Sequence, residues 1–531
     1  MSAQNSGAAA HKKLNAEAHG TQLDKLSLLD ASFLYAETAS VPMNIAGLQH
    51  LDVPEKQRDA FFRSLQNHLE DRVHLVRFMT RRLKFTPFGF DHPIWVRDAD
   101  FDIDEHVKRI RLPAPGTPQQ LEQLVARLHE KRLDRSRPLW EFWLIEGLEN
   151  GLCAWYTKYH HACMDGVAGQ AVVDFLCSDT PAIPPVPKHA CGGDGCDVED
   201  PGLMALLWDA ARSTASQPLR SLAALPDIAS AAWALGERAL GAERGLGAYG
   251  QRAPRTRLNV AVSPHRTFAM GTLSLSGMRT LGKPLGCTVN DVFLAVCAAS
   301  LARYLGLRGE LPRDPLIAGA PVSVRKPGDQ SMRNQVRMLL TSLETQRSDP
   351  IERLLAIRDS AAIGKAVVAD TASAGLEDLN VPGLPLAMGG LMRAADRLRI
   401  GDFVPMPFNV VISNVPGPRR QKWLNGAALR SHFPVSIPAH GVALNITVQS
   451  YLDRMDFSLT ACKEAVPDVE MLRDFMSDAF EELWQAAGMP RASGVRAVKL
   501  SAAVVTQEAE LPEPELAWED VQQPHDRSAT G

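Results

Sequence analysis

The segment HHACMDG at residues 160–166 constrains the fold of this chain more than any other feature. Residues 151–159 before it are rich in aromatic side chains and predict a strand, whereas residues 167–176 have the apolar spacing of a helix. The seven residues should therefore form a corner between a strand and a helix. Because neighbouring side chains on a strand point to opposite faces, His160 and His161 should not both face one cavity, which argues against a shared metal ion.

This corner suits one imidazole as a base and the other as a packed partner. A neutral imidazole takes a proton from a hydroxyl or thiol near pH 7. Asp165 would then fix the loop through hydrogen bonds or an arginine pair, and Gly166 permits a turn that a Cβ would block. The alternative is purely structural, with two buried, hydrogen-bonded histidines and an aspartate that caps the helix.

Length and composition narrow the class of protein. With 531 residues the chain is too long for one simple core, so two domains are expected. Hydrophobic residues make up 45% and charged residues 22%, an ordinary globular balance. The net charge of -4 argues against nucleic acid as a partner. The eight cysteines are scattered, which favours a reduced, cytoplasmic protein over a disulfide framework.

Few features indicate a metal or a membrane span. Cys191 and Cys196 share a Gly/Asp loop, but two thiols are only a weak signal of a metal, so we predict no metal site. Residues 1–20 lack the basic and then apolar pattern of a signal peptide. No uninterrupted apolar run approaches the ~20 residues that a spanning helix needs, so any membrane contact should be peripheral.

The chain divides into five predicted parts. Residues 1–24 and 491–531 are polar tails that we expect to be disordered. Residues 25–187 should form a first domain that carries HHACMDG, and residues 258–490 a second one. Residues 188–257 are rich in Gly, Ala, Ser and Pro and should form a helical bridging segment.

Both predicted domains mix helices and strands, which indicates an α/β (α+β) fold with a channel between two related layers. The bridging segment should hold a helix at 228–241, either packed on the protein or in contact with lipid. Thr117-Pro118 predicts the start of a helix, and Thr288 with Asp291 resembles a capping box at the start of another. Asp468 should cap a final helix. Strands are predicted at 42–50, 141–146, 267–275, 316–324, 337–343 and 408–413, followed by a hairpin that turns near Asp453.

Short motifs occur along most of the chain besides HHACMDG. Together with it they lie at residues 29–34, 37–38, 42–43, 138–140, 160–166, 290–291, 321–325, 334–335 and 413–418. In content and in order these motifs resemble those of the bacterial wax ester synthase/diacylglycerol acyltransferase family. HHACMDG alone would indicate only a wider superfamily, which includes chloramphenicol acetyltransferase and the condensation domains of peptide synthetases.

The resemblance implies two chloramphenicol-acetyltransferase-like domains with a tunnel at their interface. It implies transfer of an acyl group from acyl-CoA, a substrate and not a bound cofactor, to diacylglycerol or a long-chain alcohol. His161 would be the base, and His160 and Asp165 would support the loop. Asn290 and Asp291 match a family motif near the site. One position departs from the pattern, because many members have His where this chain has Asn44.

The implied chemistry is direct attack of a hydroxyl on a thioester, assisted by His161. No G-x-S-x-G elbow is present, which agrees with direct attack. Cys163 as a nucleophile is the weaker alternative. Asn290 would donate to the oxyanion, or would merely order the start of its helix together with Asp291. Arg325 would pair with Asp165 and so support the loop.

Two rival functions remain. One is a condensation-type acyltransferase that uses carrier-bound acyl groups, although the chain contains no carrier domain. The other is a non-catalytic lipid-inclusion protein built on the same scaffold. Hydrophobic substrates lead us to expect a cytoplasmic protein that contacts the inner membrane or lipid inclusions at its surface.

Overall fold

The computed structural model describes most of the two predicted domains. The described residues are 23–89, 91–186, 200–212, 247–324, 334–370 and 384–490. Several sequence predictions lie outside them, namely Arg325, the Cys191 and Cys196 pair, the 228–241 helix, the C-terminal tail and most of the N-terminal tail.

The helices are named here in chain order. They are α1 (Leu28–Ala36), α2 (Arg58–Glu70), α3 (Pro118–His129), α4 (Gly166–Leu176), α5 (Leu275–Gly282), α6 (Val289–Gly306), α7 (Pro350–Asp370), α8 (Leu384–Arg397) and α9 (Val469–Ala486). Residues 203–212 are also helical.

The first large sheet has six strands. In spatial order they are β11 (Trp423–Leu424), β12 (Ala427–Val435), β1 (Asn44–Asp52), β6 (Cys153–His160), β5 (Trp140–Glu146) and β4 (Val107–Arg111). Two of its strands, β11 and β12, come from the second half of the chain, so the predicted 258–490 domain contributes to both sheets. A separate pair, β2 (Arg81–Lys84) and β3 (Ile94–Arg97), forms a small hairpin-like sheet.

The second large sheet also has six strands, all from the second half. In spatial order they are β7 (Arg266–Ser274), β14 (Arg454–Cys462), β13 (Leu444–Tyr451), β10 (Val410–Val415), β8 (Ile317–Ser323) and β9 (Val336–Ser342). The predicted mixed α/β fold with two sheet-based domains is confirmed.

Local capping explains where two helices begin. Thr117 and Gln120 form a reciprocal capping box at α3, and Thr288 and Asp291 form another at α6, as predicted. Asp468 is the N-cap residue of α9, as predicted, but its side chain does not cap the helix. Its carboxylate instead accepts from the Tyr304 hydroxyl at 2.7 Å and from Arg308.

Helix α6 fills the core of the second domain. Among the described residues it is the one helix that is long and apolar enough to span a membrane, but 67% of it is buried inside the protein. Phe293, Val296 and Leu301 are fully enclosed against the second sheet and α9. Apolar residues therefore lie on all sides of α6, as expected of a helix that other parts of the protein cover on most sides.

The two halves interlock beyond the shared sheet. Val41 and Met43, which precede β1, are buried in the core of the second half. Glu122 of α3 accepts from the backbone amide of Met270 in β7 at 2.9 Å and from Arg473 of α9 at 3.2 Å. The boundary between the halves is consequently built from both apolar and charged contacts.

Candidate active site

The HHACMDG segment forms the predicted corner at the end of β6. The strand ends at His160, whose amide donates to the carbonyl of Leu139 at 3.0 Å. His161 opens a short 3-10 turn, and its amide donates to the carbonyl of Met43 at 2.8 Å. Backbone bonds to two other motif segments therefore hold the pair of histidines in place.

His160 is a buried structural support. Its Nδ1 accepts from the amide of Ala162 at 3.1 Å, which assigns the ring proton to Nε2 in the neutral tautomer. Nε2 lies 3.6 Å from Oε1 of Glu37, whose other oxygen accepts from Arg135 at 2.7 Å. Burial, with the nearby Arg135 charge, holds the pKa of His160 well below its usual value, so the ring is neutral.

His161 is the neighbour with an uncommitted ring. Its imidazole stacks on Phe33 with ring centroids 4.0 Å apart and planes 8° from parallel. Its Nδ1 is buried and has no hydrogen bond of ordinary geometry to any described residue. The residue as a whole remains partly exposed, whereas His160 is fully buried.

The electrostatic setting keeps His161 neutral. Enclosure of the ring lowers its pKa, because a charged imidazolium loses hydration there. Its own backbone carbonyl, Asp165, Asn334 and Asp30 oppose this effect without reversing it. A neutral imidazole at physiological pH is the form that accepts a proton.

Asp165 holds the loop in place. Its side chain is 1% exposed and accepts from the backbone amide of Gln335 at 3.1 Å, while its carbonyl accepts from the amide of Gly169. Gly166 is the first residue of α4, as the corner requires. The predicted partner Arg325 lies outside the described residues, so that pairing stays a prediction.

A further clamp connects Asp30 with Asn334. Oδ1 of Asp30 accepts from the backbone amide of Asn334 at 3.0 Å and from its side-chain amide at 2.6 Å. The same side-chain amide donates to the carbonyl of His161 at 2.9 Å. Residues 29–34 and 334–335 were recognised in the sequence only as family motifs. The structure shows that Asp30, Phe33 and Asn334 surround His161.

Asn290 and Asp291 separate into two roles. Asp291 is buried and its carboxylate accepts from the amide and hydroxyl of Thr288, each at 2.8 Å, so it orders the start of α6. Asn290 is partly exposed, and its Oδ1 accepts a long hydrogen bond of 3.4 Å from Asn414. Of these two residues, only Asn290 has a side chain that takes no part in the capping box and could contact a ligand.

Asn290 lies on the side of the second sheet that meets α4. Asn414 is near the end of β10, one residue before Val415, which pairs with Gln449 of the parallel strand β13. Gln449 donates to Gln170 of α4 at 3.4 Å. The helix that begins at HHACMDG thus contacts the strand ends beside Asn290, and the predicted tunnel at this interface stays a prediction.

Two other sequence positions have structural roles. The Cys163 thiol is buried, and burial raises its pKa far above the usual range, so a nucleophilic thiolate is disfavoured. Asn44, which departs from the motif that the sequence resemblance implies, is fully buried and donates to the carbonyls of His129 and Lys131 at 3.2 and 2.8 Å. It therefore joins β1 to the end of α3.

Comparisons with known proteins agree with this architecture. The family model described as the wax ester synthase/diacylglycerol acyltransferase catalytic domain matches residues 26–293, and the corresponding C-terminal domain model matches residues 332–484. A putative diacylglycerol O-acyltransferase of Mycobacterium tuberculosis is 33% identical over 464 residues, which cover 87% of this chain and all of that protein.

Solved structures give the same result. The wax ester synthase/diacylglycerol acyltransferase of Marinobacter aquaeolei is 30% identical, with a TM-score of 0.63 over 88% of this chain and all of that one. A condensation domain of the calcium-dependent antibiotic synthetase, 14% identical over 89% of this chain and 98% of its own, shares the fold with a TM-score of 0.55. The chain therefore belongs to the wax ester synthase/diacylglycerol acyltransferase family and is an O-acyltransferase.

Proposed function

We propose that this protein transfers a long-chain acyl group from acyl-CoA to the hydroxyl of diacylglycerol or of a long-chain alcohol. The observation that carries this proposal is the state of His161, a neutral imidazole held by stacking and left partly exposed at the domain boundary. The products are triacylglycerol or wax ester, together with free CoA.

In this mechanism Nε2 of His161 is the reacting nitrogen, because Nδ1 is buried. An alcohol has a pKa far above 7, so Nε2 takes the hydroxyl proton as the oxygen attacks the thioester carbonyl carbon. A carbon–oxygen bond forms and the carbonyl electrons move onto the oxygen. When the tetrahedral intermediate collapses, the carbon–sulfur bond breaks and the imidazolium returns its proton to the CoA thiolate.

The intermediate carries a negative oxygen that needs a hydrogen-bond donor. We assign this role to the side-chain amide of Asn290, because the Asp291 carboxylate is engaged in capping α6 while Asn290 is partly exposed. The position of Asn290 in the first turn of α6 adds the positive end of the helix dipole.

The test replaces the base. His161→Ala should abolish esterification of hexadecanol and of diolein by palmitoyl-CoA, measured as free CoA and as lipid product, because no other base is proposed at this position. His265→Ala is the matched control, since that side chain is 61% exposed and far along the chain from HHACMDG. Full activity in His161→Ala, with unchanged melting, would refute the base assignment.

The same assay separates the rival functions. A condensation-type enzyme would use an acylated carrier protein and leave palmitoyl-CoA unconsumed. A non-catalytic lipid-inclusion protein would release no CoA with either acceptor. Release of CoA in equal amount to ester formed, with either hexadecanol or diolein, supports the proposed reaction.

A further inference from the structure

Helix α8 exposes an apolar face to solvent. Leu386 is 60% exposed and Leu391 is 59% exposed, and Leu398, which follows the last turn, is 66% exposed. Leu391 and Leu398 are seven residues apart and lie on one side of the helix, with Ala387 and Ala394 at the same spacing. Large apolar side chains that are so exposed and so close together usually mark an interaction surface.

The other face of α8 is packed beside the proposed active site. Met388 contacts the core of the first half, and the helix lies against α1 and against the 3-10 turn Pro87–Gly89. Helix α1 carries Phe33, which stacks on His161. The exposed face of α8 is thus separated from the base by a single helix.

The exposed face also has positive charge and no free carboxylate. Arg393 and Arg397 are both exposed and point toward the same side as Leu386 by helical spacing. The only acidic residue within α8 is Asp396, which is partly buried and lies 3.2 Å from Nε2 of His440. Leucines flanked by arginines form the pattern of a helix that lies in a lipid–water interface.

We propose that α8 docks this protein onto an anionic lipid surface, with Leu391 and Leu398 among the acyl chains and Arg393 and Arg397, which flank Leu386, on head-group phosphates. This proposal rests on the proposed function, because diacylglycerol and long-chain alcohols reside in such surfaces. A second copy of the chain fits the face less well. A stable protein interface uses about 20 residues a side, and this face offers only two leucines on one side and two like charges around a third leucine on the other.

The experiment measures binding of the full chain to vesicles by flotation. Vesicles of phosphatidylcholine mixed with phosphatidylglycerol should bind the protein, and vesicles of phosphatidylcholine alone should bind it more weakly. Arg393→Gln/Arg397→Gln should lower affinity for the anionic vesicles about thirtyfold, since each arginine near an anionic surface contributes to binding. Leu391→Glu/Leu398→Glu should lower affinity for both kinds of vesicle.

Leu307→Glu is the matched control, because Leu307 is 67% exposed at the far end of α6. It should leave vesicle binding unchanged. An equal loss in Leu307→Glu, no loss in the α8 variants, or no binding by the unaltered chain would each overturn the proposal. So would a change from dimer to monomer in Leu391→Glu/Leu398→Glu by analytical ultracentrifugation, because the face would then join two copies.

These experiments distinguish a failure of the docking proposal from a failure of the proposed catalytic function. The α8 variants should esterify a short, water-soluble alcohol at the unaltered rate and lose activity on acceptors presented in anionic vesicles. Vesicle binding by a chain that makes no ester from any acceptor would refute the proposed function and leave the docking surface supported. Ester formation without vesicle binding would refute docking alone.

Discussion

Replacing Phe33 tests how the orientation of His161 controls catalysis. The two rings are 4.0 Å apart and nearly parallel, and Phe33 also packs against the cores of both halves. Phe33→Leu keeps an apolar side chain of similar bulk but removes the flat surface. An aromatic pair contributes about 0.5–1.5 kcal/mol beyond its buried area, so kcat/KM should fall by between about twofold and about tenfold.

The pH dependence of kcat/KM in Phe33→Leu is a second and more specific test of the contact between Phe33 and His161. Enclosure lowers the pKa of His161, and leucine cannot cover the whole ring face, so water should reach the imidazole in Phe33→Leu. Its pKa should rise toward the ordinary value near 6.5. Because the base must be neutral, the acid limb of kcat/KM should move to higher pH.

The assay is CoA release from palmitoyl-CoA with hexadecanol, followed across pH, with a thermal melt of each variant. Phe101→Leu is the control, since Phe101 stacks on His106 with centroids 5.3 Å apart and planes 21° from parallel, away from HHACMDG. The reasoning is refuted if Phe33→Leu leaves both the rate and the acid limb unchanged. It is equally refuted if Phe101→Leu shifts the acid limb by the same amount.

Three further predictions follow from the buried polar groups. Asp165→Ala should lower the free energy of unfolding by about 1–3 kcal/mol, because it removes the carboxylate that accepts from the Gln335 amide, and a loss of turnover with unchanged melting would instead indicate direct catalysis. Asn290→Ala should lower kcat about a hundredfold with unchanged melting, whereas an unaltered kcat would exclude it as the oxyanion donor. Burial lowers the pKa of His129 to about 3 and those of His50 and His432 to about 4. Acid should therefore destabilise the fold between pH 6.5 and 4, because in this range these three histidines bind protons only in the unfolded chain. At pH 5 each histidine should lower the free energy of unfolding by about 2 kcal/mol, and a melting temperature that is flat from pH 8 to 5 would contradict this.

The parts of this structure that depend on nearby residues could be predicted from the sequence. The strand and helix around HHACMDG follow from side-chain spacing over a few residues. The capping boxes at Thr117 and Thr288 depend on a partner three residues away. Asp468 shows the limit of this reasoning, because a tyrosine and an arginine from α6 and its end compete for the same carboxylate.

The parts that depend on distant residues could not be predicted. The addition of β12 to the first sheet joins Ala46 with Val435 and His50 with Ser431, pairs almost 400 positions apart. The bonds from Asn334 to Asp30 cross 304 positions, and the stacking of Phe33 on His161 crosses 128. Only the order of the family motifs indicated that these segments matter, and it did not indicate which atoms meet.

The contacts of the two histidines bear differently on the catalytic and the structural interpretations of HHACMDG. A structural histidine should be buried with its ring nitrogens engaged, and His160 largely meets this description through Ala162. His161 does not. Its amide and carbonyl are bonded to Met43 and Asn334, so its backbone is fixed. Its ring stacks on Phe33, its buried Nδ1 makes no hydrogen bond of ordinary geometry to a described residue, and the residue stays partly exposed. A fixed backbone combined with a buried ring nitrogen that no described residue bonds is an arrangement expected of a base, and it supports the proposed role of His161 over a purely structural one.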